Sequence, residues 1–284
     1  MSKILVTGGL GFVGSHLVDS LVEDGHKVTV VDNLCSESSS RNYMRKDVEY
    51  FIEDIRDLDI LDLEDDYDLV YHLAALARIQ PSFKNPVKYF SIDSMGTCKV
   101  LDFARKCNAK LVYAGSSSAY AGQYLNPYAF AKYTGEELCK MYGSVYNIST
   151  VIARFFNVYG DRQPTTGTYA TVVGIFEGQT SAEEKLTVTG NGEQRRDFTH
   201  ISDIVSGFKM LGQKSWQGEI FQLGTGKNYS INELAKMFGG EIEYIQKRPG
   251  EAWTTLADYS EMKTATGWVP EVDIEDYVKN WLLK

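Results

Sequence analysis

Lys3-Ile4-Leu5-Val6-Thr7-Gly8-Gly9-Leu10-Gly11-Phe12-Val13-Gly14-Ser15-His16-Leu17 is an apolar strand that runs into Gly8, Gly11 and Gly14 at three-residue spacing and then into an amphipathic helix. The pattern predicts a dinucleotide-binding turn. One glycine permits the tight strand-to-helix turn, one lets backbone N–H groups approach a pyrophosphate, and one lets the helix lie close against the sheet. Lys27 to Val31 reads as a second buried strand and ends in Asp32, about 20 residues beyond the glycines. A carboxylate there can hold both ribose hydroxyls of NAD and repels the extra phosphate of NADP. The opening segment is therefore expected to bind NAD.

The 284 residues, 43% hydrophobic and 24% charged, have the composition of an ordinary water-soluble chain with material for a full core. No apolar run approaches the length of a membrane span, and the apolar start is too soon broken by glycine for a signal peptide. A cytoplasmic protein is expected. Cys35, Cys98, Cys107 and Cys139 lack CxxC spacing, which argues against a disulfide frame or a metal site. A net charge of -9 argues against nucleic acid or an anionic membrane as partner. An anionic ligand would need local arginines.

Short apolar, β-branched runs recur at Ile4 to Val6, Val28 to Val31, Glu49 to Ile52, Leu69 to Leu73, Leu111 to Ala114 and Thr150 to Ala153, with helical patterns between most of them. This alternation predicts an α/β fold: a Rossmann-like doubly wound parallel sheet covered on both faces. Val87 to Lys106 and Tyr128 to Tyr142 keep helical periodicity and are candidates for a homodimer contact. After Asn157 the pattern turns to glycine-punctuated loops. Residues 1–157 are expected to form the NAD-binding domain, with a strand near 220–223 returning to its sheet. Residues 158–284 are expected to form a smaller, mostly substrate-binding region.

Tyr128 and Lys132 lie four apart on a predicted helix and share one face. An ammonium a few ångströms from a phenol favours phenolate, so the pair is suited to acid-base work near neutral pH. Upstream, the fifth strand ends in Ala114-Gly115-Ser116-Ser117-Ser118, which places hydroxyls at the carboxyl edge of a parallel sheet, where ligands of such folds bind.

Taken in order, Gly8 to Gly14, Asp32-Asn33-Leu34, Asp54-Ile55, His72-Leu73-Ala74-Ala75, the Ser116 cluster and Asn126-Pro127-Tyr128-Ala129-Phe130-Ala131-Lys132 make the chain resemble the extended short-chain dehydrogenase/reductase family. Within it the likeness is to nucleotide-sugar epimerases of the UDP-galactose 4-epimerase type. It continues through Arg154 to Gly160, Gly190 to Phe198 and Arg248-Pro249-Gly250-Glu251. The resemblance implies that Tyr128 is the acid/base, that Lys132 holds the nicotinamide ribose and tunes Tyr128, and that Ser116 bonds the reacting sugar oxygen. Gly8, Gly11, Phe12, Val13 and Gly14 would meet the pyrophosphate. Asp32, Asn33, Leu34, Asp54, Ile55, Leu73, Ala74 and Ala75 would line the rest of NAD. Asn157, Arg196 and Arg248 match positions that meet the diphosphate of the sugar nucleotide. Arg195 has the weaker claim, because the aspartate of the family's Arg-Asp step follows Arg196.

Two departures from the family stand out. The step from Ser116 to Tyr128 is shorter than usual, which trims a loop that normally walls the sugar pocket. Asp93 stands where the family usually has asparagine near the catalytic lysine, and is either paired or alters the Tyr128 and Lys132 titrations. The family's dehydratases place Asp-Glu directly after the catalytic hydroxyl, and its decarboxylases a glutamate at the second of these positions. Here Ser117 and Ser118 stand there. The resemblance therefore implies an epimerase of a UDP-hexose or UDP-N-acetylhexosamine, acting at C4 through a transient keto-sugar and bound NADH. Another nucleotide-sugar oxidoreductase and a non-catalytic dinucleotide-binding protein are the alternatives. Thr255 aligns with a position bordering the sugar's 2-substituent, and its small size suggests room for an acetamido group.

Overall fold

A computed structural model describes residues 1–36 and 39–284. The first half comprises β1 (Lys3–Thr7), α1 (Phe12–Glu23), β2 (Lys27–Val31), β3 (Glu49–Phe51), β4 (Leu69–His72), α2 (Ile79–Lys84), α3 (Pro86–Tyr89), α4 (Thr97–Cys107), β5 (Lys110–Ser116), α5 (Ser117–Gly122), α6 (Pro127–Tyr146) and β6 (Thr150–Phe155). There follow β7 (Val158–Tyr159), α7 (Val172–Ser181), β8 (Leu186–Thr189), β9 (Arg195–Asp197), β10 (Thr199–His200), α8 (Ile201–Gly212), β11 (Gln217–Leu223), β12 (Asn228–Ser230), α9 (Ile231–Phe238), β13 (Ile242–Ile245), α10 (Ser260–Thr266) and α11 (Ile274–Leu282). The main sheet has the order β11-β6-β5-β4-β1-β2-β3, with every pairing parallel. The strand order reverses beside β1, and in doubly wound sheets ligands bind at that point.

Alternation along each strand divides the core in two. Ile4, Val6, Tyr71, Val112 and Val151 point toward Leu17, Leu21, Ile204 and Phe208 of α1 and α8. Leu5, Val70, Leu111, Tyr113 and Ile152 point toward Val100, Leu101, Cys139 and Tyr142 of α4 and α6. Because both faces are covered, these strands read as unbroken apolar runs. The returning strand is β11, whose Ile220 pairs with Ile152. A third core, built on Tyr159, Phe176, Val188, Leu234 and Phe238, fills the C-terminal region.

Helix ends are fixed locally. Asn126 accepts from Ala129 N at 2.8 Å, Pro127 takes the first helical position, and Asn147 closes α6 in a left-handed conformation. The long helix expected over Val87 to Lys106 is continuous in direction but not uniform. Between α3 and α4, Phe90–Gly96 forms a π-helical segment, a departure common at functional sites. That segment carries Asp93.

Candidate active site

Gly14 sits in the first turn of α1, and a Cβ there would lie 2.0 Å from Gly8 O. Gly8 has φ +74°, and its Cβ would lie 2.7 Å from Ala74 N. Only glycine allows β1, α1 and the end of β4 to come this close. The turn opens onto a cavity of about 650 Å³ along the carboxyl ends of β1, β2, β4, β5 and β6. Gly8, Gly11, Phe12, Val13, Gly14, Asp32, Asn33, Asp54, Ile55, Leu73, Ala74 and Ala75 form one end of its wall. Ser116, Tyr128, Lys132, Asn157 and Arg248 continue it. A smaller cavity of about 200 Å³ shares Asn157 and Arg248 and adds Arg196.

The buried Asp32 carboxylate accepts from Leu10 N (2.9 Å) and Leu34 N (2.8 Å), which fixes the glycine turn to the end of β2. Burial pushes its pKa up, and these two N–H groups pull it back. Asn33 Nδ2 donates to Asp54 Oδ2 at 2.9 Å, and Arg56 forks onto the same carboxylate. Leu34, expected among the cofactor contacts, is not in the cavity wall. Its N–H serves Asp32, and its side chain packs against the core under α1.

Tyr128 is buried, and Ser116 shares its cavity wall. Burial pushes its pKa up to about 12, Ser116 and Arg78 pull it down, and Asp93 raises it further. The anticipated lowering by Lys132 is not seen in this geometry. Lys132 Nζ donates to Ala114 O at 2.9 Å and lies 4.8 Å from the Tyr113 ring centroid, turned toward β5. Burial lowers the Lys132 pKa, against the pull of Asp93 and Glu136. Asp93 Oδ1 accepts from Leu76 N at 2.8 Å, whereas Oδ2 is buried without a partner among the described residues. Desolvation raises its pKa to about 7, and Lys132 opposes that rise. His72 bridges Thr7 Oγ1 (2.7 Å) and Thr97 Oγ1 (2.9 Å), and Thr97 donates to Asp93 O, so β1, β4 and the π-helical segment are locked together.

On the far side, Arg196 donates to Arg195 O (2.9 Å) and faces Glu251 at 3.8 Å. Arg195 is turned away, held by Asn228 and Glu233. Asn157 Nδ2 donates to Asp197 O (2.8 Å) and to Thr255 Oγ1 (3.3 Å). Thr255, expected to border a sugar substituent, is buried behind Asn157 and lies in the wall of neither cavity. The short step after Ser116 is filled by α5, and the Pro249-Gly250 turn closes beside it. Asn126 Nδ2 donates to Gly250 O and Gln80 Nε2 to Pro249 O, both at 2.9 Å.

The sequence matches the NAD dependent epimerase/dehydratase family over residues 4–224. The chain belongs to that family. It is 35% identical to a putative UDP-glucose 4-epimerase of Methanocaldococcus jannaschii, over 98% of each chain. A Thermotoga maritima UDP-glucose 4-epimerase solved with UDP-glucose superposes with a TM-score of 0.92 at 30% identity, covering 98% of this chain and 96% of that one. A Bacillus cereus UDP-glucuronic acid 4-epimerase, solved with UDP-glucuronic acid and NAD, gives 0.89 at 28% identity over 98% and 96%. The site of this epimerase/dehydratase family member suits its cofactor. The close-packed glycine turn, the α1 N-terminus and the Asp32 carboxylate form a cradle for a dinucleotide. No helix among the described residues is long and apolar enough to cross a membrane.

Proposed function

We infer that the protein is an NAD-dependent 4-epimerase of a UDP-linked hexose or N-acetylhexosamine, with Ser116, Tyr128 and Lys132 as its catalytic residues. The observation that carries this reading is the buried Tyr128, set with Ser116 and Lys132 in the wall of one cavity that has the glycine turn at one end and Arg248 at the other. Bound NAD supplies a reversible two-electron oxidant. Gly8, Gly11 and the first turn of α1 hold its pyrophosphate, and Asp32 holds a ribose. Tyr128 takes the proton from the sugar hydroxyl and later returns it, while Ser116 bonds the same oxygen. Lys132 keeps a positive charge beneath the reacting centre. Ser117 and Ser118, both in the cavity wall, offer no carboxyl group for dehydration. The oxidised sugar is left to turn over and be reduced on its other face.

Residues 1–157 with β11 form the cofactor half in this reading, and the remainder of 158–284 positions the nucleotide sugar through Arg196 and Arg248, with Asn157 at the boundary. The partner is a second copy of the chain. The helical segments that flank the site expose Val87, Met95, Met141 and Val145, an apolar surface for pairing in a homodimer, and sedimentation as one species of twice the chain mass is the expected result.

The decisive test mixes the purified, NAD-loaded protein with UDP-glucose, UDP-N-acetylglucosamine and UDP-glucuronic acid and follows the sugar C4 configuration by proton NMR. Formation of the 4-epimer without net consumption of added dinucleotide supports the reading. Stoichiometric consumption of NADH, or loss of water or carbon dioxide from the sugar, overturns it in favour of another oxidoreductase.

A further inference from the structure

Arg78 lies between β4 and α2, with its backbone extended, and its side chain lines both cavities. It belongs to none of the motifs that point to NAD or to the diphosphate. Its Nη1 donates to Ala77 O at 3.0 Å, and its guanidinium lies 5.7 Å from the Tyr169 ring centroid. Its Nε is buried without a hydrogen-bond partner among the described residues. The titratable groups that face it are the phenols of Tyr128, Tyr169 and Tyr89, and no carboxylate pairs with it among the described residues. Glu251, the acid in the shared wall, is directed at Arg196.

A guanidinium stays protonated, and in a half-buried one an enclosed, idle Nε–H is costly unless an acceptor or counter-charge arrives. Arg78 has a rigid fork of donors at the junction between the Tyr128 end of the cavity and the end shared with Arg196 and Arg248. An oxyanion with two acceptor oxygens suits that fork, because carboxylate and phosphate both accept from it in a bidentate manner. The nucleotide sugar can bring such a group near the reacting carbon in two ways, as the sugar-proximal phosphate or as a carboxylate on the sugar.

We propose that Arg78 is a specificity-determining residue that binds an oxyanion of the nucleotide sugar beside Tyr128. This rests on the epimerase reading above.

The experiment measures dissociation constants of UDP, UDP-glucose and UDP-glucuronic acid by calorimetry on the NAD-loaded wild type, Arg78→Gln and Arg78→Lys, with thermal midpoints as the folding control. Binding, not turnover, is the primary readout. Weakening of both sugars by at least tenfold in Arg78→Gln, partly recovered in Arg78→Lys, assigns the phosphate. Weakening confined to UDP-glucuronic acid assigns a sugar carboxylate. Equal binding of all ligands by wild type and Arg78→Gln overturns the role of Arg78 and leaves the epimerase reading standing. A fall in kcat with unchanged binding also overturns it, because Arg78 then acts on Tyr128 and not on the ligand. If Arg78→Gln does not fold, Arg78→Lys binding as wild type does overturns the need for a fork. Absence of binding of any UDP-sugar to the wild type overturns the epimerase reading itself.

Discussion

Arg154 at the end of β6 forks onto Glu136 in the middle of α6, with Nε to Oε1 at 2.9 Å and Nη2 to Oε2 at 2.6 Å. Glu136 is fully buried, and it lies one helical turn beyond Lys132 on the helix that carries both Lys132 and Tyr128. The pair ties the helix of Tyr128 and Lys132 to the sheet at the level of the site. Removing one partner leaves the other charge buried and alone, which costs about 3 to 5 kcal/mol. Glu136→Ala and Arg154→Ala should each lower the thermal midpoint markedly. The double variant should fall by less than the sum of the two, as a double-mutant cycle in unfolding free energy would read. Additive losses would show that the two side chains act separately.

Tyr128→Phe should leave the fold and NAD content unchanged and lower kcat by orders of magnitude, since only the ionisable oxygen is removed. Near-normal turnover would remove Tyr128 from the acid/base role. Lys132→Ala should lower kcat and also loosen NAD, readable from dinucleotide retained after gel filtration.

Much of this arrangement was legible in the chain. The six apolar runs that begin at Ile4 and end at Ala153 became β1 to β6, and the run near Ile220 to Leu223 lies within β11, because strands buried on both faces must be continuously apolar. The π-helical segment at Phe90–Gly96 was not legible, since a local change of helical phase barely alters apolar periodicity over the five or so turns around it. In the sequence Glu136 is one more charge on a helix, and its burial depends on a partner supplied by the next strand. Arg78 has no motif around it, and its significance appears only where two cavities meet. Alignment by motif fixes the position of Thr255 along the chain but not the direction of its side chain, whose hydroxyl accepts from Asn157.

Asp93 gives a pH dependence with a defined sign. Its folded pKa is about 7, against 3.8 for the free side chain, mainly through desolvation. The unfolded chain loses this proton near pH 4, while the folded chain keeps it until about pH 7. Stability therefore falls as pH rises between these values, by at most about 1.4 kcal/mol per unit, and levels off above. Asp93→Asn removes that fall, so its thermal midpoint should gain on wild type from pH 5 to pH 8. The variant also lacks the anion that supports Lys132, so the alkaline limb of kcat should move to lower pH. A midpoint difference that is constant with pH would show that Asp93 does not titrate in this range.

Asp32→Ala should narrow the preference for NAD over NADP, because a carboxylate beside a 2′-phosphate repels it. The same change frees Leu10 N and Leu34 N, so a loss of thermal stability in the apo protein should accompany it. Comparable affinity of the wild type for both dinucleotides, measured by fluorescence titration, would place Asp32 in a purely structural role.

Arg196 and Arg248 lie on the wall of the smaller cavity, but they differ in what holds them. Arg196 is mostly enclosed and anchored by Arg195 O with Glu251 nearby, and burial pulls its pKa down. Arg248 is exposed on the turn before Pro249. Replacing either by alanine should raise KM for the nucleotide sugar by a factor equivalent to roughly 1.5 to 3 kcal/mol of charge-assisted hydrogen bonding. Increasing salt should weaken the Arg248 contribution more, since an exposed pair is screened and an enclosed one is not. Steady-state kinetics at two ionic strengths, with dinucleotide affinity followed in parallel, reads both effects. Loss of NAD binding equal to the loss of sugar-nucleotide binding would move that arginine to the cofactor side, and an identical salt response in the two variants would show that their enclosure does not govern the contact.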